Sequence, residues 1–162
     1  MKDNPVLLPL PTDDGVFLAA YSEEGLAGLA FPANRPARTA AEPPPRVARW
    51  HQQATRAVHA VLAGKPPRSL PPFDLRAGTE FRRQVWAALQ RIPVGQTISY
   101  ADLARAAGQP RAARAAGGAC GANPIPVLIP CHRVLATDGG LGGFTAGLAW
   151  KRKLLAREGV VR

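Results

Sequence analysis

Only two of the 162 residues are cysteine, Cys120 and Cys131. Two thiols do not make the disulfide framework of a small secreted domain, and a reducing, intracellular compartment suits them. No apolar run approaches the roughly 20 residues of a membrane-spanning helix. The first residues, MKDNPVLLPLPTDD, carry one lysine, an apolar patch broken by prolines and no small-residue cleavage site. That pattern argues against a secretory signal. Acid is scarce as well: Asp and Glu number 11 against 21 Lys and Arg, a formal net charge of +10. The imbalance is uneven. Residues 1–76 hold nine basic and seven acidic side chains, and residues 77–162 hold twelve and four. A basic second half suits a polyanionic partner, nucleic acid above all, although an Arg-rich solvated face reads the same way.

What is present is enough for a packed core, since apolar residues make up 46% of the chain. Residues 6–31 pattern as two or three strands, with GVFLAAYS and GLAGLAF flanking a hairpin turn at EEG. PANRPARTAAEPPP (32–45) has no apolar period and predicts an irregular, mobile loop. Val47, Trp50, Ala54, Val58 and Val61 recur at three- and four-residue spacing, which predicts an amphipathic helix from Arg46 to Leu62. GKPPRSLPP (64–72) ends it, and composition and charge change near residue 77. The expectation is an α+β chain of two small domains. Residues 1–76 would form an antiparallel sheet with a helix, and 77–162 a mainly helical, winged helix-turn-helix unit.

In the second half, Thr79 is placed to cap a helix from Glu80 to Arg91 whose buried face is Phe81, Val85, Leu89 and Ile92. PVGQTISY turns into a second helix capped by Thr97 or Ser99, with Tyr100, Leu103 and Ala107 on one side. GQP (108–110) breaks it, and RAARAAGGACGA (111–122) predicts a third helix with almost no large side chains. A smooth helix with arginine at its start suits close approach to a DNA groove, or else a tight helix–helix contact.

The stretch NPIPVLIPCHRV, Asn123 to Val134, concentrates the chemistry. Val127-Leu128-Ile129 predicts a buried strand stopped by Pro130. Cys131 follows at once, beside His132 and Arg133, both of which favour the reactive thiolate. The plainer alternative for any single cysteine is a small buried hydrophobe. Downstream, TDGGLGGFTAG (137–147) is a glycine-rich loop able to wrap a planar ligand.

With ISYADLARAAG, AARAAGGACGANP, PCHRV and LLAREG on the page, the chain from about Phe81 to Gly159 resembles the O6-alkylguanine-DNA alkyltransferases, which repair methylated DNA. The first half resembles that family's variable N-terminal domain only in layout. The resemblance implies the following roles. Cys131 accepts the alkyl group irreversibly, one turnover per molecule, from O6-alkylguanine in duplex DNA, and O4-alkylthymine is left open as a second substrate. His132 acts as base and Glu158 orients it. Asn123 braces the turn, and Tyr100 hydrogen bonds the departing guanine. Arg114 fills the stack after the base flips out, and Ala112, Ala113, Ala115, Ala116 and Gly117 let the helix sit in the minor groove. Cys131 and Val134 with Thr145, Phe144 and Pro126 make the base pocket. The implied partner is double-stranded DNA bearing alkylated bases, met by a cytoplasmic monomer, nucleoid-associated if bacterial, without membrane or cofactor. Some members bind a structural zinc in the first domain. This first half has no cysteine and only His51 and His59, so no metal is expected.

Three positions depart from the family pattern. Gly121 stands where some members have a basic residue, and Phe144 where tyrosine is frequent. Ala146 replaces a loop glycine, and its added methyl predicts poorer acceptance of bulky O6 groups. Cys120 reads as a small helix residue, Trp50, Trp86 and Trp150 as packing residues, and WKRKLLAR (150–157) as a solvated or phosphate-touching basic face. The competing reading is a non-catalytic, lesion-sensing DNA-binding protein of the same fold; a Cys-His hydrolase is a third.

Overall fold

The computed structural model describes residues 4–34 and 38–160. Part of the predicted 32–45 loop, residues 35–37, lies outside the described residues, as do the first three. The chain is α+β. Strands β1 (Val6–Thr12), β2 (Gly15–Tyr21) and β3 (Leu26–Ala30) form an antiparallel sheet in the order β1-β2-β3. Alternation sends Leu8, Leu10, Phe17, Ala19 and Tyr21 into the core. β1 tolerates Pro9 and Pro11 because it is an edge strand. Helix α1 (Pro45–Leu62) reaches that strand, with the His51 and His59 rings hydrogen bonded to the carbonyls of Pro9 and Pro11 at 3.0 and 2.8 Å. A segment beyond α1 then joins the free side of β3, where Leu26 N–H donates to Pro72 O and Asp74 N–H to Leu26 O.

Thr79 caps α2 (Glu80–Leu89), its hydroxyl accepting from Arg82 N–H. The helix stops two residues short of the predicted Arg91. Its largest buried side chain is Trp86, whose Nε1–H donates to Ala119 O at 2.9 Å. The indole thereby holds helix α4 (Ala113–Gly121) against α2. Between them, β4 (Ile98–Ser99) leads into α3 (Tyr100–Ala106), where Ser99 and Asp102 form a reciprocal capping box. A short parallel pairing of β4 with β5 (Val134–Leu135) ties the start of α3 to the segment just after Cys131. The last helix, α5 (Leu148–Arg157), ends immediately before Glu158.

The strand predicted at Val127–Ile129 is absent. These residues form a compact turn in which Ile129 N–H donates back to Ile125 O at 2.9 Å. An apolar run reads alike for a strand and for any fully buried segment, and the flanking prolines Pro124, Pro126 and Pro130 remove the donors a ladder needs. Val127 sits at φ 74°, a left-handed conformation that a β-branched residue rarely adopts. Burial and the surrounding hydrogen bonds hold it there, next to the reactive stretch.

Candidate active site

Cys131 opens a single 3₁₀ turn (Cys131–Arg133) that follows this buried turn. Asn123 sets the turn's shape: its Nδ2–H donates to Ile129 O at 2.8 Å and its Oδ1 accepts from Ile125 N–H at 3.0 Å. The thiol is 7% exposed and faces a cavity of about 780 Å³. Burial raises its pKa, opposed by the polar Asn123 side chain and the charge of Lys151. A thiol held mostly protonated needs a base before it can attack.

The neighbouring His132 is fully buried, and its Nε2 lies 2.8 Å from Glu158 Oε1. Arg133 Nε donates to Glu158 Oε2 at 2.9 Å and its Nη2 to Oε1 at 2.8 Å, while Nη1 donates to Ile92 O at 2.6 Å. Burial pushes the Glu158 carboxyl up, but the hydrogen bonds from His132 and Arg133 outweigh it and hold the group at about 2. The ionised carboxylate is an acceptor only, so His132 carries its proton on Nε2. Nδ1 keeps a lone pair and has no protein partner among the described residues. Burial lowers the pKa of His132 more than Glu158 raises it, so the ring is neutral near pH 7.

This geometry corrects two expectations. Arg133 is not a free cation beside the thiol, because its guanidinium is spent on Glu158 and Ile92. The cation near the thiol is Lys151, in the run read as a basic surface. It is wholly buried, and its Nζ donates to the carbonyls of Val134 (2.7 Å), Leu141 and Gly143 (3.2 Å). It also lies 5.8 Å from the Tyr100 ring centroid. Burial lowers its pKa while the two thiols raise it. Its only sequence signal is that α5 presents Lys151, Leu154 and Leu155 on one buried face at three- and four-residue spacing.

Tyr100, the first residue of α3, lines the cavity half-buried, its pKa raised by burial and by the two cysteines. Gly142 (φ 66°) passes so close that a Cβ there would come within 3.0 Å of the ring. A side chain there would crowd the ring and strain the backbone. Pro126, Phe144 and Thr145 line the same cavity, and Thr145 Oγ1 donates to Gly121 O at 3.2 Å across its mouth. Val134 does not line it; its side chain is buried and its carbonyl accepts from Lys151. Cys120 faces the cavity too, its thiol pushed up to about 12 by burial. On α4, Arg114 and Ala115 are exposed and Ala112 and Ala113 partly so. Ala116 is fully buried and cannot meet a groove, and Gly117 lies beside the Tyr100 ring on the cavity wall. Sequence reasoning missed one wall altogether: Leu29, Ala30 and Phe31, at the end of β3, close the cavity from the first half of the chain.

A family profile described as "6-O-methylguanine DNA methyltransferase, DNA binding domain" matches residues 80–160. The chain is 37% identical over 148 residues to the methylated-DNA–protein-cysteine methyltransferase of Methanosarcina acetivorans, covering 90% of this chain and 92% of that protein. It is 48% identical over 107 residues to the bifunctional transcriptional activator/DNA repair enzyme Ada of Escherichia coli. That match covers 66% of this chain but only 30% of the longer protein. Among solved structures, Mycobacterium tuberculosis OGT in complex with DNA superposes with a TM-score of 0.76 at 37% identity, covering 93% of this chain and 90% of that one.

Proposed function

The chain belongs to the 6-O-methylguanine DNA methyltransferase family, and from that premise we propose that it repairs alkylated duplex DNA by moving an alkyl group from O6 of guanine to Cys131. The observation that carries the reading is a cysteine at the wall of a cavity with a buried, neutral histidine beside it and an ionised carboxylate behind. In the proposed step, His132 Nδ1 takes the thiol proton through a water molecule while Glu158 holds the Nε2–H tautomer. The Sγ lone pair attacks the alkyl carbon in line, the S–C bond forms, and the C–O6 bond breaks with its electron pair leaving on the purine. Tyr100 O–H donates to the departing guanine, which would otherwise leave as an anion in a dry pocket. The product thioether has no leaving group that water can displace under cellular conditions. Each molecule therefore acts once.

The reacting atom lies inside the base stack, so the nucleotide must rotate out into the cavity. In this reading Arg114, exposed at the start of α4, occupies the gap. Ala112, Ala113 and Ala115 beside it leave that helix smooth enough for the minor groove. The protein acts as a monomer, and Asn123 positions the thiol rather than touching DNA. No helix among the described residues is long and apolar enough to cross a membrane.

The test is intact-mass spectrometry after incubation with a duplex carrying one O6-methylguanine, followed by peptide mapping. One methyl on the peptide holding Cys131, saturating at one per protein and abolished in Cys131→Ala, is the expected result. Tight lesion binding without an adduct would instead establish a lesion-sensing protein and remove the transfer step.

A further inference from the structure

In-line attack needs the Cys131 thiol to arrive at one angle, so the turn that delivers it has to be stiff. That turn contains a strained joint. Among the described residues nine glycines take a positive φ, and the one non-glycine that does so is Val127, at 74°. Elsewhere the chain meets this conformation with a residue that lacks a Cβ. Here it places a branched side chain, for which the left-handed region is costly. Strain of this kind persists only where the surroundings over-determine it, and it gathers at sites that must hold one geometry.

The surroundings of Val127 do over-determine it. The side chain is 1% exposed and does not line the cavity. It is the middle residue of the turn that Ile129 N–H closes on Ile125 O at 2.9 Å. Both closing residues are held by the Asn123 amide, and Leu29 N–H of β3 donates to Pro124 O at 2.9 Å on the near side. On the far side little freedom is left before the thiol. Cys131 N–H donates to Ile129 O at 2.8 Å across Pro130, which sits at φ −81° and ψ 65°. That is an inverse γ-turn about a ring-locked residue. A change at Val127 that moves Ile129 therefore moves Cys131 with it. A valine makes the joint stiff, because its χ1 is restricted and its left-handed well is narrow. A glycine would accept the same φ at no steric cost and many other values besides.

We propose that Val127 is a positioning residue for the alkyl transfer: its buried, left-handed conformation aims the Cys131 thiol into the cavity at the angle in-line attack requires. This rests on the alkyl-transfer reading above.

The experiment uses Val127→Gly and Val127→Ala beside the unmodified chain. Each is melted, and two rate constants are measured at Cys131: methyl transfer from an O6-methylguanine duplex, and labelling by iodoacetamide, a small electrophile that can approach from any open direction. Val127→Gly is expected to fold and to melt above Val127→Ala, the reverse of the usual order, because only glycine relieves the positive φ. Its methyl transfer should fall about tenfold to a hundredfold while iodoacetamide labelling stays within about twofold, since the thiol keeps its surroundings and loses its aim. Val127→Ala keeps a Cβ and should lose less of the transfer-to-labelling ratio although it is the less stable variant. Stability and rate thus move in opposite directions, which a packing role does not produce. Val127→Gly melting below Val127→Ala, or failing to fold, would show that the joint stores no strain and overturn the proposal. A transfer-to-labelling ratio unchanged in Val127→Gly would overturn it too, leaving the repair reading intact. Iodoacetamide labelling without methyl transfer in the unmodified chain would remove the repair reading itself, and the proposal with it.

Discussion

Glu158→Gln isolates what the buried triad contributes, because it removes a charge and leaves the shape. Glu158 Oε1 accepts from His132 Nε2 and Arg133 Nη2, and Oε2 from Arg133 Nε, all between 2.8 and 2.9 Å and all buried. A glutamine oxygen can replace only one of the two carboxylate oxygens. Its NH₂ must then face an N–H of Arg133 or of His132, and the buried guanidinium loses its counter-charge. Breaking a buried pair by neutralising one partner costs about 3–5 kcal/mol. For a chain of this length each kcal/mol moves Tm by about 2–4 °C, so the expected loss is about 6–20 °C. Adding Arg133→Met removes the orphaned charge, and stability should recover by about 2 kcal/mol or more. Recovery is incomplete because Ile92 O, which accepts from Arg133 Nη1 at 2.6 Å, stays without that donor. Thermal melts of the two single variants and the double variant complete the cycle. Methyl transfer measured on the same proteins separates stability from chemistry. The double variant should be stable and still slow, since His132 has lost the carboxylate that holds its tautomer. A Tm loss below about 2 °C for Glu158→Gln, or a double variant that loses the sum of the singles, would refute the reasoning.

Three further outcomes are expected. Methyl transfer should be flat above the ordinary histidine value of 6.5 and fall below it, because burial lowers the pKa of His132 and the neutral ring is the base. Folding stability should follow the same sign. It falls below 6.5 as the unfolded chain takes the proton first, and again from 4.5 toward about 2 as Glu158 protonates; a rate midpoint above 6.5 would contradict the assignment. Lys151→Met should slow labelling of Cys131 by iodoacetamide about tenfold at fixed pH, because the thiol keeps its burial and loses the nearby cation. It should also raise hydrogen exchange in the loop at 141–143, where Nζ ties down the carbonyls of Leu141 and Gly143, and unchanged labelling would move the thiolate's support elsewhere. Arg114→Ala should slow repair in duplex DNA far more than reaction with a free O6-alkylguanine base, and equal losses on both would remove its role in flipping.

Local pattern carried most of the elements. Thr79 and Ser99 mark helix starts because a hydroxyl before an apolar period has one inexpensive use, and both cap as expected. The β2–β3 hairpin was legible from its turn residues. Val127–Ile129 was misread because full burial erases periodicity, and only the proline spacing hinted at a turn. The candidate site was legible where a short motif names its residues in order, at Asn123, Cys131 and His132. Lys151 was hidden because a charged residue in a basic run looks solvated, and nothing local says that three carbonyls will close around it.

The sequence by itself determined the α+β class, the family resemblance across the second half and the identity of the one cysteine set in a reactive motif. These rest on information within a few residues: period, caps, turn chemistry and a contiguous motif. The resemblance had already paired Glu158 with His132; tertiary structure alone decided that Arg133 serves Glu158 and not the thiol, and that Leu29 of β3 and Phe31 just past it line the cavity. Those facts depend on which distant surfaces meet. Close packing settles that, by burying each polar group against whichever partner the rest of the fold brings within reach.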